Sequence, residues 1–120
     1  MNIKTKLLFI FCLLNLSFSI QATRFDITAT IGQIRYHEES NTLATSWKGH
    51  TWFSLANPNK SPNCDKYDGE YMVSVPDGNE TAIAMILAAK MSGSQVLITI
   101  DDAVDFPSTG RCKLQYLTIK

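Results

Sequence analysis

From residue 25 onward, apolar and polar side chains alternate in short runs broken by Gly, Pro and Asn. That period of two predicts half-buried β-strands. Residues 25–36 are rich in β-branched side chains, with Phe25, Ile27, Ala29 and Ile31 on one face. Gly32 then breaks the phase, and Ile34 and Tyr36 take the opposite parity. A glycine at such a shift predicts a bulge or a sharp bend. Residues 37–41 are a polar turn. A second strand is expected over 43–55, where Trp47, Gly49, Thr51, Phe53 and Leu55 alternate with Ser46, Lys48, His50, Trp52 and Ser54. The Asn/Pro-rich stretch 57–63 is a loop by composition. Residues 70–75 predict a third strand with Tyr71, Val73 and Val75 inward, 96–100 a fourth and 112–119 a fifth, the last two joined by an eleven-residue loop, 101–111.

One segment has no strand period. Asn79 is a suitable N-cap, Glu80 an acidic first-turn residue, and Gly93 stands where a left-handed C-terminal residue is wanted. Between them every residue from Ala82 to Ala89 is apolar. A helix without a polar stripe is expected to be covered on more than one side. Either its small alanines are tolerated at the surface, or its outer face packs on a neighbouring copy in a closed ring. The order β-β-β-α-β-β is that of the five-stranded OB barrel, whose helix falls between the third and fourth strands. The expected fold is therefore mainly β with one helix, a single OB-like barrel over residues 23–120.

The first 22 residues change the composition. Lys4 and Lys6 precede an apolar run, Leu7 to Leu14, and then small and polar residues. This is the pattern of a secretory signal peptide over residues 1–22, with cleavage after Ser19 or Ala22. The run is too short to span a bilayer, and no later segment is long enough. Of 120 residues, 98 then remain, and 9 basic against 11 acidic residues leave a net charge of −2. Without a basic stripe, nucleic acid is not expected as a partner. Cys12 leaves with the leader, so Cys64 and Cys112 are the only pair in an exported chain and predict one disulfide. A loop of 48 residues closed this way is worth roughly 3–4 kcal/mol. The expected localisation is secreted or periplasmic.

Enzyme chemistry finds little footing. His37 and His50 are the only histidines, no nucleophile, P-loop or zinc motif is present, and Asp101 and Asp102 are adjacent and point oppositely on a strand end. No catalytic residue, metal or cofactor is expected. The candidate ligand-binding residues are Trp52, His50 and Lys48 on the polar face of the second strand, with Tyr36 and His37 at the rim of the first turn. An aromatic side chain held outward among polar neighbours stacks on a sugar ring or anchors a partner. The competing expectation is a bulge that turns Trp52 inward and Trp47 outward.

Residues 86–101 run from an alanine-rich helix end through Gly93 into the β-branched strand Val96-Leu97-Ile98-Thr99-Ile100-Asp101, with a cysteine-bearing last strand to follow. With Ile31-Gly32-Gln33-Ile34 in the first strand, this resembles the binding subunits of the pertussis-like and subtilase-type AB toxins. The resemblance rests on short motifs in roughly half of the mature chain and transfers no sugar-contacting residue. It implies a secreted OB-fold subunit with a disulfide, assembled as a pentameric ring; the apolar helix 80–92 is where the residues themselves place such a ring contact. The partners it implies are a host cell-surface glycan or glycoprotein and a toxin A subunit. Two functional expectations follow: a non-catalytic glycan- or receptor-binding subunit, or a periplasmic or secreted interaction or inhibitor protein without a sugar ligand.

Overall fold

The computed structural model describes residues 24–105 and 111–120, without the side chains of 102–105. The expected signal peptide lies outside the described residues. The elements are β1 (Arg24–Tyr36), a 3₁₀ turn (Thr45–Trp47), β2 (Thr51–Ala56), β3 (Lys66–Tyr67), β4 (Glu70–Val75), α1 (Glu80–Ser92), β5 (Val96–Asp105) and β6 (Cys112–Ile119). The sheet order β2-β1-β5-β6-β4-β3, with β2 also pairing β4, closes five long strands into a ring. All pairings are antiparallel except β4–β6, which is parallel at Val73↔Cys112 and Ser74↔Lys113. With α1 between the third and fourth long strands, this is a closed OB-type barrel.

β1 makes the closure possible. Residues 24–29 pair with β5, and from Thr30 onward the strand pairs with β2. Ile31 faces Leu55 while Ile34 faces Phe53, so β1 spends one extra residue at Gly32–Gln33. The phase break expected at Gly32 is this bulge. Ser54 Oγ receives the Gln33 N–H at 2.7 Å and donates to Glu70 Oε1 at 2.7 Å. A Cβ at Gly32 would overlap both oxygens.

Ile27, Ala29, Ile31, Phe53, Leu55, Val73, Val75, Val96, Ile98 and Ile100 fill the barrel. α1 lays Ala82, Ile86 and Ala89 across its end, a stripe at i, i+4 and i+7. Asn79 Oδ1 receives the Ala82 N–H at 3.1 Å, and Gly93 ends the helix at φ 66°. The opposite face is apolar yet exposed, with Leu87 46% and Met91 88% accessible. The Cys64–Cys112 disulfide is formed, with Cα atoms 5.4 Å apart, and ties the 57–65 segment to the start of β6.

Three boundaries differ from expectation. The strand expected over 43–55 begins only at Thr51, because a run of turns occupies 41–50. The loop expected over 101–111 is shorter, since β5 continues to Asp105 opposite β6. β3, two residues long, carried no periodic signal. No helix among the described residues is long and apolar enough to cross a membrane.

Gly32→Ala should lower unfolding stability by about 1–3 kcal/mol, because Ser54 must give up its bond to the Gln33 N–H or the bulge must widen. Chemical denaturation measures this; unchanged stability would remove the bulge from the list of constraints on the barrel.

Candidate functional site

The five residues expected to bind ligand do gather at one end of the barrel, but not as an open face. Tyr36 closes the β1–β2 ladder opposite Thr51. The His37 N–H donates to His50 O at 2.9 Å and the Gly49 N–H to His37 O at 2.7 Å, so the 37–50 loop is cinched at its base. Within it, Asn41 Oδ1 receives the Ala44 N–H at 2.8 Å and Ala44 O the Trp47 N–H at 3.0 Å, which turns Trp47 back over β2. His50 Nδ1 lies 2.8 Å from Asp77 Oδ1, tethering the loop to the turn before α1. Lys48 is exposed, and Tyr36 is 56% accessible.

Trp52 corrects the sequence reading. Its parity was read rightly: it points away from the barrel interior, opposite Phe53 and Leu55. It is nevertheless only 1% accessible, because Trp47 and Met72 build a second small core on that outer face. Trp47 joins it there, so neither the outward-platform expectation nor the inward swap describes the pair. Its indole N–H donates to His37 Nε2 at 3.2 Å. Trp52 is therefore not a stacking platform for a ligand.

Two guanidinium groups seal this outer core. Arg35 Cζ stands 5.2 Å from the Trp52 ring centre and 4.6 Å from that of Tyr67, and Arg35 Nη2 donates to Tyr67 Oη at 3.2 Å. Arg111 Cζ stacks 3.8 Å over Trp47 and 5.8 Å from Trp52, with its Nε 3.2 Å from Met72 Sδ. Such cation–aromatic contacts contribute about 0.5–2 kcal/mol each, more as water is excluded. Burial lowers the Arg111 pKa, Asp65 acting the other way and Arg35 with it. The His37 pKa is also lowered, first by burial and then by Arg35, Arg111 and His50. Arg111 escaped the sequence reading because it follows a loop; the disulfide at its neighbour Cys112 brings it over Trp47.

A concave site lies elsewhere. Between β5 and β6, Thr99 faces Tyr116 while Ile100 faces Leu114, so Gln115 is an extra residue on β6. A cavity of about 190 Å³ opens beside this bulge, lined by Arg24, Thr99, Ile100, Asp101, Gln115 and Tyr116. Tyr116 is 64% accessible, with Arg24 Cζ 5.9 Å from its ring centre. Arg24 forks onto Asp26, Nε to Oδ1 at 3.1 Å and Nη2 to Oδ2 at 3.2 Å, while Thr99 Oγ1 donates to Asp26 Oδ1 at 2.7 Å. These bonds, Arg24 first and Thr99 next, hold the Asp26 carboxyl below its usual range, and Asp26 in turn raises Arg24. Asp101 is buried at the cavity wall. An exposed aromatic ring beside polar groups offers an apolar surface to stack against and donors and acceptors to hydrogen-bond. Arg24 could have been found as an outward-parity residue of its strand; Tyr116 shares the parity of the buried Cys112 and Leu114 and is turned outward only by the bulge, which has no signature in the sequence.

A second concavity of about 350 Å³ runs between α1 and β6 and shares Gln115 and Tyr116 with the first. Among the described residues, no group of three His, Cys, Asp or Glu is placed to hold a metal ion. Comparison with protein-family models, curated proteins and solved structures returns no match.

Trp52→Ala should cost about 3–5 kcal/mol of stability, as for a large buried aromatic, whereas Lys48→Ala should stay within about 0.5 kcal/mol. Guanidinium denaturation of both variants separates a core tryptophan from a ligand platform; near-native stability of Trp52→Ala would refute the second core.

Proposed function

We propose that this chain is an exported, non-catalytic binding module that takes a host glycan, the receptor-binding subunit of an AB-type toxin. The observation that carries this reading is the concave site at the β5–β6 bulge. There an exposed tyrosine ring, a guanidinium held by its own carboxylate, and Asp101 converge on a space of about 190 Å³. One sugar ring fits that size and that mixture of one apolar face with several polar groups. Because Asp26 already neutralises Arg24, the site suits hydroxyl recognition more than charge recognition. The stacking platform thus passes from Trp52 to Tyr116, with Tyr36 and Lys48 left as exposed residues of a separate rim.

The helix supports assembly. Its outer face exposes Leu87 and Met91, and Tyr116 and Ile119 of β6 are also exposed large apolar groups. Apolar exposure of this kind marks an association surface. β6 pairs with β4 only at Cys112 and Lys113, so beyond Lys113 its ladder runs along β5 alone. A ring of identical copies that buries α1 accounts for both, and it leaves a toxin A subunit as the further partner.

On a glycan array, the mature protein should bind a defined subset of host glycans, and Tyr116→Ala should lose about tenfold or more in affinity, an aromatic anchor being worth about 1.4 kcal/mol or above. Absence of binding across the array, or binding untouched by Tyr116→Ala, would overturn the glycan reading and favour a protein partner. Light scattering should give a mass several times that of one chain; a monomer at all concentrations would remove the ring.

A further inference from the structure

We infer that the 37–50 loop is a pH-sensitive clasp, held closed by an unprotonated His37 and released when that imidazole takes up a proton. The geometry is restrictive. Trp52 is only 1% accessible, and its indole N–H is a donor that needs an acceptor. His37 Nε2 accepts it at 3.2 Å, which places the imidazole proton on Nδ1. The protonated ring has a hydrogen on both nitrogens and no lone pair to offer. Proton uptake therefore sets two N–H groups against each other beneath Trp47, whose ring centre lies 5.8 Å from that of His37. The same residue forms both backbone bonds that cinch the loop, to His50 and from Gly49. A displaced His37 releases the loop at its base.

The charged surroundings reinforce the effect. Arg35 acts on His37 from β1, Arg111 from the residue before β6, and His50 from the residue before β2, and each disfavours the imidazolium. Counter-charge comes from groups already engaged or further out. Asp65 acts on Arg111, and Asp77 stands against His50. Glu38 and Glu39 follow His37 on the loop, both exposed, as is Lys48 at its far end. Tyr67 adds only a neutral hydroxyl, bound by Arg35. His37 is accordingly shifted below the ordinary histidine value of 6.5, burial being the largest cause. The open loop thus binds more protons than the closed one between the lowered value and 6.5, so the closed form loses stability as pH falls through that window and keeps it in full above. Asp77 Oδ1, 2.8 Å from His50 Nδ1, is a second tether that does not involve His37, so the opening is confined to the His37 side.

Both tryptophans of the chain, Trp47 and Trp52, lie in this cluster, so intrinsic fluorescence reports on it alone. Between about pH 7.5 and about pH 5, the mature protein should show a red shift and a roughly twofold rise in acrylamide quenching, while far-ultraviolet dichroism stays native. NMR of the histidine ring protons should place the His37 titration below 6.5 and at the fluorescence midpoint. His37→Gln, whose amide oxygen can accept the indole proton at any pH, should abolish the step, and His50→Gln should keep it. A flat fluorescence profile, a step that persists in His37→Gln, or a His37 titrating at 6.5 or above overturns the inference; the wild-type titration decides even if the variant folds poorly.

Discussion

A five-stranded sheet closes into a barrel only if one strand serves both sides of the ring, and here that strand must bend at Gly32. β1 pairs with β5 over its first half and β2 over its second, and the extra residue at the bulge absorbs the change of direction. The bend brings backbone against side chain closely enough that no Cβ fits beside Ser54 and Glu70. Those two side chains are there because the bulge frees the Gln33 N–H from the ladder, and a freed donor inside a protein must find an acceptor. The opposite seam, the short parallel pairing of β4 with β6, has few ladder bonds and is reinforced by the adjacent disulfide.

Closure at that seam also organises the outer face of β2. The disulfide fixes Cys112, and Arg111 beside it is drawn over Trp47. A strand buried on both faces results: Phe53 and Leu55 toward the barrel, Trp52 toward the second core. Tyr67, Arg35, Trp52, Arg111 and Trp47 form one continuous series of ring–cation contacts. The cations lie over the rings they shield, and each guanidinium gains from the ring part of what it loses in hydration. His37 completes the cluster by taking the one indole proton the rings cannot satisfy.

The polar, concave site forms where the sheet is irregular rather than where it is best packed. The bulge at Gln115 interrupts the β5–β6 ladder, opens a hollow and leaves Tyr116 exposed beside it. Bulges commonly re-aim side chains in this way next to binding sites. The same residue borders the groove along α1, so the two concavities adjoin at one tyrosine.

Local chemistry alone determined much of this protein. Alternation marks three of the five long strands closely and the other two in part, and Asn79, Glu80 and Gly93 delimit the helix to within a residue. Gly32 announces its bulge because a residue without a Cβ at a phase break has few other uses. Cys64 and Cys112, the two cysteines beyond residue 22, have one pairing. The parity of Trp52 was legible too, since side-chain direction along a strand is a local property. Its burial was not, because accessibility depends on what folds over a face, and here the cover comes from Trp47, Met72 and Arg111, brought from three other parts of the chain. The hollow at Tyr116 likewise depends on register between β5 and β6, which is set by the closure of the whole barrel rather than by either strand. Direction and period are written residue by residue; exposure and concavity arise only when distant segments meet.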